Sequence, residues 1–210
     1  MNQPVIVTEE TLHHAAEILR SGGIVAFPTE TYYGLAVDPL HRQALERLFR
    51  IKRRARALPI LVLVSGIEQI HLLASELPTV YYRLIDCFWP GPLTLVCPAL
   101  PTLPPRLTGD TGTVGLRQSP DETAKRLIAA FGGPITATSA NISGAAAAVT
   151  AGEVAHIFGS EVDLILDGGK APGGYGSTLV GVREASLHCL REGKIPFLAV
   201  QTCAEVALEK

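Results

Sequence analysis

The chain has 210 residues, 47% of them hydrophobic and 18% charged, enough apolar material to build a core without a disulfide or a structural metal. Eighteen Lys and Arg against twenty Asp and Glu leave a formal charge of -2. That excludes a uniformly basic nucleic-acid coat, so any anion site must be local. The opening MNQPVIVTEE has no basic n-region, so neither a secretory leader nor a membrane span is expected. Cys87, Cys97, Cys189 and Cys203 form no C-x-x-C pair and have no His at zinc-ligand spacing, which predicts buried free thiols in a reducing cytoplasm.

Helical and extended patterns alternate along the chain and predict one α/β domain over residues 1–210. The first helix is expected to start at Thr8, to bury Leu12, Ala15, Ala16 and Leu19, and to stop at Gly22 and Gly23. A strand, Ile24 to Phe27, follows. Ala44, Leu45, Leu48 and Phe49 share one face of a second helix, after which Ile60 to Val64 reads as a buried strand. Phe88 to Arg106 carries six prolines and one charged residue, a packed crossing with a strand at Leu93 to Cys97. Strands are expected at Thr113 to Leu116 and Ile135 to Thr138. Between them lies a helix that Ser119 caps, with Pro120 in its first turn and Gly132 as its stop. Thr150 and Glu153 predict a capping box for a helix ending at Gly159, followed by strand Val162 to Leu166.

Six of the eighteen Lys and Arg lie between Arg47 and Arg56, with no acid from Arg47 through Ile67. Arg47 and Arg50 read as a solvated helix end. Lys52 and Arg54 stand where the helical pattern fades, and alternate residues of an extended segment could aim both at one phosphate chain, in a nucleotide or an RNA. Three polar loops follow predicted strands: Pro28 to Leu35, Thr136 to Gly144, and Asp167 to Thr178. Loops at strand ends commonly supply ligand groups, although hydroxyls also serve their own backbone. The phosphate loop, dinucleotide fingerprint, H-E-x-x-H and nucleophile elbow are absent, and His13 and His14 have no evident partner, so a protein nucleophile is not favoured.

The ordered motifs Pro28-Thr29-Glu30-Thr31-x-Tyr33-Gly34-Leu35, Lys52-x-Arg54, Trp89-Pro90-Gly91-Pro92-Leu93-Thr94, Val114-Gly115-Leu116-Arg117, Ser139-Ala140-Asn141-x-Ser143-Gly144, Asp167-Gly168-Gly169, Ser177-Thr178 and Leu190-Arg191-x-Gly193 closely resemble the YrdC-like threonylcarbamoyl-AMP synthases. The resemblance runs from about residue 8 to 195. It implies a twisted open α/β sheet with a concave, positively charged cavity. It also implies condensation of L-threonine, bicarbonate or CO2, and ATP to threonylcarbamoyl-AMP, with release of diphosphate. A partner transferase complex then carries the threonylcarbamoyl group to the adenosine beside the anticodon of tRNA, and tRNA itself is a further candidate partner.

By motif position the resemblance implies Thr31, Arg117 and Ser177 around threonine, with Leu63 and Ala137 adding mainly backbone contacts. It implies Lys52, Arg54, Leu58, Thr113, Ser139, Asn141, Ala147 and Arg191 around ATP, Lys52 and Arg54 being the catalytic cations, and Mg2+ carried by the ATP phosphates. The chain departs from the family pattern after Lys52-x-Arg54, where Ala55 replaces a proline and Ala57-Leu58-Pro59 lacks two charges. Ser119 stands where the family has the proline of R-x-P, and Gly176 replaces a common glutamate. These departures leave two alternatives: an RNA-binding module of the same fold, and a divergent carbamoyl-handling paralogue.

Overall fold

The computed structural model describes residues 3–183 and 186–205, starting with the short strand β1 (Val5–Ile6). Helix α1 (Glu9–Arg20) follows, capped by Thr8 in a reciprocal box: Thr8 accepts from the Thr11 N–H at 3.1 Å, and Thr11 Oγ1 accepts from the Thr8 N–H at 2.8 Å. Its buried residues are the expected Leu12, Ala15, Ala16 and Leu19. Strands β2 (Val25–Phe27) and β3 (Gly34–Ala36) form an antiparallel pair, and α2 (Arg42–Lys52) buries Ala44, Leu45, Leu48 and Phe49. Arg53 ends α2 in the left-handed conformation, φ 49°. Lys52 is therefore helical and turned inward, not paired with Arg54 along an extended segment.

Next come β4 (Val62–Leu63), a single turn α3 (Ile67–Ile70), and α4 (Thr79–Phe88). The proline-rich crossing packs as expected: it holds β5 (Leu93–Pro98) and α5 (Pro105–Thr108), with Leu93, Leu103 and Leu107 buried. Beyond it lie β6 (Thr113–Arg117) and α6 (Glu122–Phe131). The cap of α6 is Asp121, which accepts from the Ala124 N–H at 3.0 Å, rather than Ser119. The hydroxyl of Ser119 is used elsewhere.

The run Ile135 to Thr138 splits into β7 (Ile135–Thr136) and β8 (Thr138–Ser139), which belong to different sheets. The change of sheet falls at Ala137, whose N–H donates to Leu61 O. Helix α7 (Ala151–Phe158) has Thr150 as its cap, but Glu153 accepts from the Val149 N–H instead of closing the box on Thr150. Strands β9 (Leu164–Asp167), β10 (Thr178–Arg183) and β11 (Ser186–Arg191) and helix α8 (Phe197–Glu205) complete the described residues.

One mixed sheet has the order β1-β9-β2-β3-β8, the other β11-β10-β5-β6-β4-β7. Strand alternation sorts the core. Val25, Phe27, Leu164 and Leu166 pack toward α1 and α6, while Ile24, Ala26 and Ile165 join the larger cluster with α2, α7 and the second sheet. A sheet buried on both faces explains why these strands lack polar alternation.

The expectation of four free thiols is corrected. Packing of α8 on α4 brings Cys87 and Cys203 together as a disulfide, while Cys97 and Cys189 are free. Arg47 is likewise no solvated helix end: it makes a bidentate pair with Asp163, at 2.5 and 2.9 Å. His14 lies 3.8 Å from Glu17 on an exposed helix face. No helix among the described residues is long and apolar enough to cross a membrane.

Candidate active site

The face of the second sheet that turns away from the core is the floor of a cavity of about 560 Å³. Alternation selects its residues: Thr94 and Val96 from β5, Thr113, Gly115 and Arg117 from β6, and Ser177 and Leu179 around the start of β10 face the cavity. Their neighbours Leu93, Leu95, Val114, Leu116 and Val180 face the core. Gly115 keeps the floor low, since a Cβ there would lie 3.3 Å from the Thr94 methyl. The β2–β3 loop, residues 137–139 and Ala145 to Ala147 form the walls. Three guanidinium groups line the space, those of Arg54, Arg117 and Arg191, against one lining carboxylate, Glu192.

At one end, Arg117 is 4% exposed. Burial depresses its pKa, Glu30 opposes that shift, and the positive charge of Arg191 adds to it. Glu30 Oε1 lies 3.3 Å from Arg117 Nε, an ion pair without hydrogen-bond alignment among the described residues. Ser119 donates to Glu30 Oε2 at 2.5 Å, and Lys194 Nζ donates to Glu30 O at 2.8 Å. The hydroxyls are braced in the same way. Thr31 Oγ1 lies 3.0 Å from Thr29 Oγ1, and Ser177 Oγ lies 2.8 Å from Thr94 Oγ1, all four residues being buried.

At the other end, Arg54 donates to Leu58 O at 3.3 Å and Pro59 O at 2.8 Å, both on an exposed turn. Burial and then the charge of Arg191 lower its pKa. Lys52 lies beneath the wall, 1% exposed, and its Nζ donates to Ser139 O, to Asn141 O at 2.8 Å and to Asn141 Oδ1 at 3.1 Å. Burial first, then Arg54, pulls its pKa down to about 7. Asn141 is occupied too, accepting from Ser139 Oγ at 2.7 Å and donating to Ala145 O at 2.7 Å. The Lys52–Asn141 pair therefore shapes the loop that carries Ser139 and Ala147. The glycine-rich segment after β9 is tied to the β2–β3 loop by two tyrosines, Tyr33 donating to Gly169 O at 2.7 Å and Tyr32 to Gly174 O.

Of the residues singled out from sequence, Thr31, Arg54, Thr113, Arg117, Ala137, Ser139, Ala147, Ser177 and Arg191 line this one cavity. Lys52, Asn141, Leu63 and Leu58 are not in its lining. The first two lie behind the wall, the Leu63 side chain packs in the core beside α6, and Leu58 sits on the exposed turn with its carbonyl on Arg54. Sequence reasoning assigned no role to Thr29, Thr94 or Glu30 and read Ser119 only as a helix cap. The motif membership of the first three was visible, but the contacts of Thr94 with Ser177 and of Glu30 with Ser119 join segments far apart in the chain. Among the described residues no group of three or more His, Cys, Asp or Glu gathers as a metal cage.

The Sua5/YciO/YrdC family model, described as telomere recombination, matches residues 17–193. A threonylcarbamoyl-AMP synthase of Pyrococcus abyssi is 38% identical over 195 residues, covering 93% of this chain and 57% of the relative. One from Vibrio cholerae serotype O1 is 35% identical over 187 residues, covering 88% of this chain and 98% of the relative. A crystal structure of Pyrococcus abyssi Sua5 complexed with L-threonine superposes with a TM-score of 0.91 at 36% identity, covering 97% of this chain and 60% of that one. The chain thus spans little more than half the length of the archaeal relative.

Proposed function

The chain belongs to the Sua5/YciO/YrdC family, and we propose that it is an L-threonylcarbamoyladenylate synthase. The observation that carries this reading is the convergence of Arg54, Arg117 and Arg191 on one hydroxyl-lined cavity, two of them with pKa values lowered by burial and by mutual repulsion. Such a site is short of negative charge, and a triphosphate together with an amino-acid carboxylate supplies it. The L-threonine complex of the archaeal Sua5 supports the amino-acid half.

Arg117 takes the threonine carboxylate through its planar fork, while Thr31 and Ser177 meet the amine or hydroxyl end. Leu63 and Ala137 contribute main-chain groups. Arg54 and Arg191 meet the phosphates, with Thr113, Ser139 and the Ala147 segment against ribose or phosphate oxygens. Lys52 and Asn141 hold that wall in shape, and Leu58 acts through its carbonyl on Arg54. The threonine amine attacks CO2 to give a carbamate, whose oxygen attacks the α-phosphorus and displaces diphosphate. The protein orients the reactants and stabilises phosphate charge, with no covalent intermediate. Mg2+ arrives on the ATP phosphates, since oxygen-rich phosphate suits it and the cavity walls supply hydroxyls and cations.

In this reading the product passes to a tRNA-modifying transferase complex in the cytoplasm. Mass-spectrometric detection of threonylcarbamoyl-AMP from purified protein, ATP, bicarbonate and L-threonine tests it. Product is expected only when all three substrates are present. Salt-sensitive tRNA binding without threonine-dependent diphosphate release would instead identify an RNA-binding module.

A further inference from the structure

We propose that Ser119 is a positioning residue for the amino-acid carboxylate: its hydroxyl fixes Glu30, and Glu30 fixes the guanidinium of Arg117. The proposal rests on the reading that Arg117 receives that carboxylate. It concerns a position where this chain departs from the family pattern, since the usual proline has no hydroxyl to offer.

Ser119 is 2% exposed, and its Oγ is used twice, donating to Glu30 Oε2 at 2.5 Å and accepting from the Asp121 N–H at 3.2 Å. A hydroxyl with both roles filled has a single orientation. The Glu30 main chain is pinned independently by Lys194. With one carboxylate oxygen and the backbone fixed, Oε1 is left facing Arg117 Nε at 3.3 Å, and both atoms are buried without a hydrogen bond among the described residues. The guanidinium is thus held by charge and packing at its inner edge, and its angle follows the angle of the Glu30 carboxylate.

That arrangement separates orientation from occupancy. Glu30 is outside the cavity lining and acts from behind Arg117. It partly neutralises the guanidinium from behind and sets its tilt before an amino acid arrives, which lowers the cost of binding. Loss of the Ser119 hydroxyl frees the carboxylate to turn toward the misaligned Nε and draws Arg117 out of its receiving angle. The backbone of Arg117 is unaffected, because Val64 N–H still donates to its carbonyl at 3.0 Å.

The test is calorimetric titration of the purified chain with L-threonine, L-serine and ATP, alongside steady-state kinetics and melting curves. Ser119→Ala and Ser119→Pro are expected to weaken L-threonine and L-serine by the same factor, about tenfold, the scale of a hydrogen bond to a charged group. The change should fall in KM, with kcat and ATP affinity within twofold of the parent. Ser119→Thr, which keeps a hydroxyl, restores binding. Glu30→Gln, close in volume, gives the same selective loss, and combining it with Ser119→Ala adds little. Unchanged threonine affinity in Ser119→Ala, unequal losses for threonine and serine, or a parallel fall in ATP affinity each overturns the proposal. If Ser119 variants are silent while Arg117→Lys loses threonine, only the positioning role fails. If Arg117→Lys binds threonine normally, the carboxylate assignment fails and the proposal with it.

Discussion

Around Arg117 the polar side chains lean on other side chains, whereas Arg54 leans on main-chain carbonyls of an exposed turn. Thr29 backs Thr31, Thr94 backs Ser177, and Ser119 with Glu30 backs Arg117. Residues 55–59, by contrast, are all exposed, and the exposed Arg191, 3.5 Å from Ser177 O, acts through its charge on both Arg54 and Arg117. Under the proposed function the difference matches two recognition problems. A small zwitterion must be told from its near relatives by fixed groups, while a flexible triphosphate is gripped by charges that can follow it. The rigid end should therefore fail abruptly when altered and the open end gradually.

Arg117 offers the sharpest break. Replacing it with Ala removes the proposed bidentate contact to the carboxylate and leaves the partly buried Glu30 without its cation, and truncating one partner of such a pair costs about 2–5 kcal/mol. Threonine-dependent diphosphate release should fall by at least about thirtyfold, with ATP binding nearly unchanged. Arg117→Lys keeps the charge but not the fork, so it separates charge from geometry and should still lose most of the activity. A collapse of ATP affinity with threonine binding intact would invert the two ends.

Arg54→Ala should raise the ATP requirement and slow diphosphate release by roughly tenfold, less than the Arg117 change because the group is only half-buried and partly screened. Threonine binding in the absence of ATP should not move. High salt should reproduce part of the effect at this end and little of it at the other, since exposed charges are screened more than buried ones. Equal salt sensitivity of the two substrates would erase the distinction between the ends.

Lys52 lies beneath the wall near Arg54 and gives a pH signature. Its pKa is held near 7 in the fold against an ordinary 10.5. From pH 7 to about 10.5 the unfolded chain therefore binds more protons at this site, and its contribution makes stability rise with pH across that window. Below pH 7 both states are protonated and the contribution is flat. Lys52→Met should remove this rise in melting temperature. As the neutral amine, Lys52 has two N–H groups for three acceptors, so the Ser139 to Asn141 loop should loosen as the proton leaves, visible in hydrogen exchange. A flat profile in the parent would mean that the three acceptors keep the ammonium charged.

How much of this could be read from the sequence divides along a physical line. Local signals were legible: Thr8 and its helix, the apolar run Ile24 to Phe27, the packed proline-rich crossing, and the motif positions that line the cavity. Pairings set by distant segments were not. Cys87 meets Cys203 across 116 residues because α8 packs on α4. Nothing in the composition of Ile135 to Thr138 marks Ala137 as a change of sheet. Ser119 read as a helix cap because Ser-Pro-Asp-Glu carries two possible caps, and Asp121 took the role while Ser119 turned to Glu30. Lys52 read as a phosphate ligand from its spacing, yet the left-handed Arg53 separates it from Arg54 and sends it beneath the wall. Gly193, legible only as a motif letter, is explained by contact: a Cβ there would lie 2.4 Å from Gly176 O, so no larger residue fits against the cavity rim.

The mildest change probes the bracing itself. Thr94 and Ser177 share a 2.8 Å contact, and Thr94 is fully buried. Thr94→Val keeps the shape of the side chain and deletes only the hydroxyl. Ser177 stays in place because its neighbour Thr178 N–H donates to Pro92 O at 2.9 Å, but its hydroxyl becomes free to rotate. A neutral hydrogen bond contributes about 0.5–1.5 kcal/mol net, so threonine KM should rise about three- to tenfold, with kcat and ATP affinity preserved. Because Ser177 is expected to meet the amine or hydroxyl end, serine and threonine need not shift equally here, in contrast to the equal losses expected at Ser119. Measuring both amino acids in both variants places each brace on its own part of the substrate. Identical threonine-to-serine ratios in the two would show that the buried hydroxyls act as one unit rather than as separate supports.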